Sequence, residues 1–285
     1  MQNNFDDLFK SPAVNNKTIP QVAHQPLDVK KNQREEAFKL IDNALDLIRA
    51  DEDKLSDMLD VISRFGNYSL GNMMLIFIQK PNSEKIEDIA TWASLGVNVK
   101  KGEHGFLLLK RGKEYIREFG SMSNTYYAKT VYDVSQTDST YKYVCRYTKD
   151  SRELIKALMN ESPVPIRLDN SIDPKEVAKF DWKKQEIVVA GGLEAEQLIP
   201  SLCQELTHAN IYFKNDEVDY ERDHYEFIAK CVSYIVCDRI GVVPVKEKHP
   251  IPEHIKLNRT TLQSALALIR RLASRQTLRI NNYFD

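Results

Sequence analysis

A chain of 285 residues with 42% apolar content holds enough hydrophobic material for two ordinary domains with cores of their own. Its formal net charge of −1 excludes a general attraction to nucleic acid or to an acidic membrane, so any such contact has to come from a local basic patch. Cys145, Cys203, Cys231 and Cys237 form no C-x-x-C pair, the N-terminus has no apolar leader, and no window approaches the roughly 18 apolar residues of a spanning helix, which together describe a soluble cytoplasmic protein with reduced thiols and no membrane partner.

Residues 1–32 are polar and carry no sustained period; they read as a mobile arm in which Phe5, Leu8 and Phe9 offer at most a short docking helix. From Gln33 onward Ala37, Leu40, Ile41, Ala44, Leu45 and Ile48 fall at helical spacing and predict an amphipathic helix to about Ala50. Leu55, Met58, Leu59 and Ile62 predict a second helix ending near Gly66. Residues 69–79 predict a third, strongly apolar one, stopped by Pro81. Trp92 and Leu95 then close a short helix that ends at Gly96. Val97 and Val99 are expected to begin a strand that turns at residues 102–105 and returns as residues 106–109, forming a β-hairpin. Residues 126–134 supply another strand with alternating aromatics. Lys100 and Lys101 at the hairpin rim, with Lys110, Arg111 and Lys113 after the next strand, make a local basic surface.

Three motifs stand in order here: N-Y-S-L-G-N-M-M-L-I-F-I-Q-K-P at 67–81, T-W-A-S-L-G-V-N-V-K-K-G-E-H-G at 91–105, and V-Y-D-V-S-Q-T at 131–137. Together they resemble the N-terminal domain of ArdC-type antirestriction proteins, a domain shared with the LtrC-like proteins of conjugative elements. The resemblance implies a single-stranded-DNA-binding domain. Lys and Arg following phosphates while Trp or Tyr rings stack on bases would suit that role. From the residues alone the lysines read equally as groups that keep a hairpin soluble, and Trp92 reads as core.

Residues 139–154, with Tyr141, Tyr143, Val144 and Tyr147 among Lys and Arg, complete or leave the first domain, and the boundary falls near Asp150. A short helix is expected over 152–160. Residues 180–190 then read as a strand preceded by a turn, Gly191 and Gly192 end it, and 194–213 form a helix. Inside that helix Gln204-Glu205-Leu206-Thr207-His208 is one residue away from H-E-x-x-H, in which two His one turn apart hold zinc and the Glu polarises the metal-bound water. Glu205 and His208 stand at the positions of base and second ligand, while Gln204 puts a neutral amide at the position of the first. A second long helix follows over 223–241.

The order of strand, loop and motif helix resembles zincin-type metallopeptidases, as does the C-terminal domain of ArdC-type proteins. That resemblance implies a third ligand at Glu226 on the following helix. Where the pattern sets a supporting carboxylate four residues later, this chain has Lys230. Cys203 points off the ligand face, and His224 offers either a replacement ligand or a capping group. The bland alternative is a partly buried Glu–His pair on a helix that also carries Leu202, Leu206 and Ile211.

After a Pro-rich connector at 242–254, residues 257–280 predict a helix with Leu262, Leu266, Ile269 and Ala273 on one stripe. Lys256, Arg259, Arg270, Arg271, Arg275 and Arg279 face a lone Asp285 in this segment. The helix either packs its stripe and solvates a basic face, or offers a second contact to DNA or an acidic partner.

The whole is expected to be α+β, with N-terminal helices and a small antiparallel sheet followed by a zincin-like domain. The divisions are an arm at 1–32, a DNA-binding domain at 33–150, the zincin-like domain at 151–245 and the connector with its basic helix at 246–285. The expected function is a single-stranded-DNA-binding, antirestriction-like protein of a mobile element. In this reading the zincin-like domain binds a partner rather than cleaving it, and zinc at His208, Glu226 and Gln204 is impaired. Two alternatives stand beside it. One is a zinc metallopeptidase with an altered ligand set and Glu205 as base; the other is an inhibitor that binds a host restriction or defence protein without DNA.

Overall fold

The structure is a computed structural model that describes residues 27–116, 122–141, 150–173, 176–213, 220–242 and 250–285. Phe5, Leu8, Phe9 and most of the expected arm lie outside these residues, as do Tyr143, Val144, Tyr147 and most of the Pro-rich connector.

The three apolar periods of the N-terminal third fold as α1 (Leu27–Ala50), α2 (Asp53–Arg64) and α3 (Leu70–Gln79). The first begins inside the expected arm, because residues 27–32 continue its turns without a break. Beside them lies a small sheet of β1 (Ile86–Glu87), β2 (Phe106–Ile116) and β3 (Met122–Asp133), in the order β1-β3-β2. The expected hairpin between residues 97–99 and 106–109 does not form. β2 pairs antiparallel with β3 instead, setting Phe106 opposite Val131 and Lys110 opposite Tyr127, and Val99 keeps only an isolated bridge to Thr137. That pairing buries Phe106, Leu108 and Val131 together, whereas Val97 and Val99 stay half-buried and offer less apolar surface to hide.

β2 is an edge strand, and α3 satisfies its free side with two side-chain amides. Asn72 gives Nδ2–H to the Leu109 carbonyl (2.9 Å) and accepts the Leu109 N–H at Oδ1 (2.8 Å); Gln79 does the same for Leu107 at 3.0 Å in both directions. Seven residues apart, the two amides stand two helical turns from each other and match alternate residues of the strand.

Between β1 and β2 runs α4 (Ile89–Ser94), capped by Asp88, whose Oδ1 accepts the N–H groups of Ala90 and Thr91, each at 3.0 Å. Asp88 also takes a hydrogen bond from Lys129 of β3. Partial burial opposes its charge, but the bonds from Lys129 and Thr91 prevail and hold the carboxyl down at about 2. The cap fixes Trp92 in the core at 1% exposure, with Nε1–H donating to the Tyr132 carbonyl at 3.0 Å.

The second half contains α5 (Ser151–Met159), β4 (Ile166–Leu168), β5 (Ala178–Asp181), β6 (Glu186–Val189), α6 (Ala195–Tyr212), α7 (Arg222–Arg239), α8 (Glu253–Lys256) and α9 (Arg259–Phe284). The single strand expected over 180–190 is two strands, because Gln185 adopts φ +54° and folds the chain back between them. β4 runs parallel and β5 antiparallel to the central β6, leaving β5 at the edge nearest α6.

Buried apolar side chains form one cluster through both halves, from Leu45, Ile62 and Ile76 to Leu206, Ile235 and Leu266. α7 lies against α2 with polar fastenings: Ser63 donates to Asp238, Tyr234 to Asp60, and Arg239 to the carbonyls of Ile62 (2.8 Å) and Ser63 (3.0 Å). The basic α9 is fastened as well. Arg259 binds Asp42 and Asp46, Arg270 donates to the Tyr68 carbonyl, Arg279 donates to Asn210, and Lys256 just before the helix pairs with Glu52. These four cations are engaged within the fold, while Arg271 and Arg275 of the same segment are exposed. Among the described residues no helix is long and apolar enough to cross a membrane.

Replacing Asn72 by Ala strands one N–H and one C=O on the β2 edge, and the expected loss is about 1–3 kcal/mol in urea unfolding. An unchanged midpoint would mean that water serves that edge equally well. The Asp88→Asn variant keeps a capping acceptor but loses the charge. Because the folded carboxyl sits below its ordinary value of 3.8, the wild-type advantage is full above that value and fades as pH falls through about 2. Unfolding curves for both proteins across that range check this; a pH-independent difference would remove Asp88 from the acid response.

Candidate functional site

α6 and α7 lie side by side and bring the motif together with Glu226. Leu202, Cys203, Leu206 and Ala209 bury the inner face of α6, and Ser233 of α7 donates to the Pro200 carbonyl at 2.8 Å. The next face of α6 therefore turns Glu205 and His208 inward, at 2% and 0% exposure. Gln204 sits at the margin, half-buried, lining a cleft of about 370 Å3 with Ala178, Lys179, Ser201, Glu205 and Arg222.

Glu205 accepts three hydrogen bonds. Its Oε2 accepts the Phe180 N–H from the edge of β5 at 2.6 Å and Arg222 Nη1–H at 2.8 Å, and its Oε1 accepts Arg222 Nη2–H at 2.6 Å. The two-pronged contact raises the Arg222 pKa still further. The same Nη2 lies 3.7 Å from Glu226 Oε2. Glu226 Oε2 also meets His208 Nε2 at 3.2 Å, and Lys230 Nζ stands 3.6 Å from Oε1. The hydrogen bond from His208, with Arg222 and Lys230 close by, outweighs burial and holds the Glu226 carboxyl down at about 2.

On its other side His208 meets the Tyr220 hydroxyl, 2.7 Å from Nδ1. Burial pushes the Tyr220 pKa up. The Glu226 carboxylate can only accept, so in its contact with Nε2 the ring nitrogen is the donor.

Arg222, Glu226 and Lys230 recur every four residues and make a cation–anion–cation stripe on one face of α7. Sequence reasoning singled out the last two and missed Arg222, although a basic residue one turn before a candidate ligand was the available signal. Tyr220 and the Phe180 N–H had no signal of their own. His224 turns away from the site; its ring stacks on His254 with centroids 4.7 Å apart, at a separate cavity of about 310 Å3 lined by Tyr225, Ile228, Ile255 and Leu268. Cys203 is buried on the core face.

These residues do not fit a zinc ion. His208 Nε2 and Glu226 Oε2 are spaced as two donors to one ion would be, since zinc takes N and O ligands at about 2.0–2.2 Å. The third donor is the Gln204 amide, and a guanidinium reaches the very oxygen that would face the ion. Among the described residues no group of three or more His, Cys, Asp or Glu side chains is arranged to hold a metal.

The basic surface centres on the β2–β3 ribbon. Lys110 pairs with Tyr127 on the face that continues from Leu108, and Arg111 pairs with Tyr126 on the opposite face. All four are exposed, the tyrosines at 42% and 44%. Lys100 and Lys101 are exposed near the Gly102 turn, and Lys100 also donates to the Ser135 carbonyl. The Lys113 side chain lies outside the described residues, though its backbone belongs to β2.

No protein-family model matches the chain. An uncharacterized protein of Bacillus anthracis is 23% identical over 270 residues, which cover 75% of this chain and 45% of that protein, so the chain spans less than half of its relative. The Mn(II)-bound crystal structure of the antirestriction protein ArdC from plasmid R388 aligns with a TM-score of 0.58 at 17% identity, covering 85% of this chain and 98% of that one. The metal-free structure of the same protein aligns at a TM-score of 0.48 and 18% identity, covering 74% and 85%. The chain thus shares its fold with that ArdC structure, the fold that its sequence motifs imply.

Proposed function

We propose that this chain is an antirestriction-like protein of a mobile element that binds single-stranded DNA along its β2–β3 ribbon. Its zincin-like half binds a partner without cleaving it. The observation that carries the DNA reading is the pairing of exposed cations with exposed tyrosines, Lys110 with Tyr127 and Arg111 with Tyr126, on the two faces of one projecting ribbon. Cations there can follow phosphates while the phenol rings offer stacking faces to unpaired bases, a combination that tolerates any sequence. The solved relative of this fold is an antirestriction protein from a plasmid, which fits a role in protecting incoming DNA.

The non-cleaving reading of the second half rests on Glu205. A general base needs a free lone pair near an activated water, and Phe180 and Arg222 already take three of the roughly four lone-pair sites of Glu205. The cleft beside it remains open to a partner such as a host restriction or defence protein.

Anisotropy titration of a labelled oligothymidylate tests the DNA reading. Affinity is expected to fall with added salt, with a log–log slope of about −0.7 per phosphate neutralised. Tyr126→Ala or Tyr127→Ala should weaken binding by about 1–3 kcal/mol while leaving that slope alone. Lys110→Ala should lower the slope by about one contact. If the protein fails to bind at low salt, or binds duplex equally well, the DNA reading falls and a protein partner for the cleft becomes the leading function.

A further inference from the structure

We propose that Arg222 takes the place of a metal ion in this site, tying the base-position carboxylate Glu205 to the ligand-position carboxylate Glu226 and excluding a divalent cation. The proposal rests on the reading that the second half does not work as a metallopeptidase, and it goes further by naming the group that replaced the metal.

Arg222 Nη2 lies between Glu205 Oε1, at 2.6 Å, and Glu226 Oε2, at 3.7 Å. Glu226 Oε2 is also the oxygen 3.2 Å from His208 Nε2. The guanidinium therefore links the two carboxylates and stands beside the oxygen that an ion held by His208 and Glu226 would use. Lys230 completes the exchange on the far oxygen of Glu226. Two carboxylates thus face two fixed monocations instead of one exchangeable dication, and the charges balance without any bound ion. An incoming cation would meet both Arg222 and Lys230 at close range.

Loss of the first histidine and gain of the arginine are separate changes, and this makes the proposal testable. If Gln204 alone prevented metal binding, Gln204→His would restore it. If Arg222 guards the site, the restored ligand is not enough.

The experiment measures zinc per chain by elemental analysis after incubation with zinc and removal of the excess, alongside the shift in Tm caused by zinc. The natural chain and Gln204→His are both expected to hold well below one zinc per chain and to show no Tm shift. Gln204→His combined with Arg222→Ala is expected to hold about one per chain and to gain Tm with zinc. If that double variant does not fold, Arg222→Gln replaces Arg222→Ala, because the amide keeps a donor on Glu205 while removing the charge.

About one zinc in Gln204→His alone overturns the proposal but leaves the metal-free reading of the natural chain standing. About one zinc in the natural chain overturns that reading itself. A folded double variant that stays empty also overturns the proposal, since removing the guard would then have opened nothing.

Discussion

A carboxylate at 2% exposure is the constraint around which the second half of this protein is arranged. An ionised carboxylate taken out of water costs several kcal/mol unless opposite charge and hydrogen bonds meet it, and removing the partner of such a pair typically costs about 3–5 kcal/mol. Glu205 meets its partners from two directions, a backbone N–H on β5 and a guanidinium on α7. The strand edge and the helix are therefore both held against α6 by one side chain. The sheet β4-β6-β5, the motif helix and α7 consequently share a polar centre.

α7 carries that constraint to the rest of the molecule. Its first residue is Arg222 and its last is Arg239, and both are fork donors, one to Glu205 and the other to backbone carbonyls of α2. A cation in the first turn opposes the helix dipole, a penalty of about 0.3–1 kcal/mol that a well-placed anion offsets. Glu205 and Glu226 supply the anions for Arg222, so a residue that local helix preference disfavours is kept by tertiary contacts. Arg239 in the last turn agrees with the dipole and needs no such support. The strain of the fold is thus concentrated at the end of α7 where the site lies, as expected where a local rule yields to a functional arrangement.

How much of this could be read in advance follows from the range of the interactions involved. The long helices were legible because their periods are local: Ala37 to Ile48, residues 69–79, and the stripe Leu262, Leu266, Ile269 and Ala273 each write their own fold. The hairpin was misplaced because a tight turn at Gly102 is a local signal, while the true partner of β2 is chosen by burial of Val131 against Phe106 and Leu108. Gln204, Glu205 and His208 were found by motif spacing, which helices preserve, and Glu226 by the resemblance to zincin-type metallopeptidases. Arg222 was missed although it stands one turn before Glu226, because the expected metal left no place for a cation there. The basic count of the C-terminal segment was visible, but the acidic partners of Arg259, Asp42 and Asp46, lie on α1 at the other end of the chain.

The residue at position 204 gains a physical meaning once the charges are counted. Glu205 and Glu226 are negative and Arg222 and Lys230 positive, so the cluster is balanced while position 204 stays neutral. An acidic side chain there would compete with Glu205 for the guanidinium and pull the fork toward the cleft. A basic one would add a third cation beside two carboxylates that already have their share. A glutamine keeps the length and hydrogen-bonding capacity needed to line a polar cleft, and it carries no charge at any pH. With Arg222 inside, the neutral amide leaves the charge balance of the buried network undisturbed.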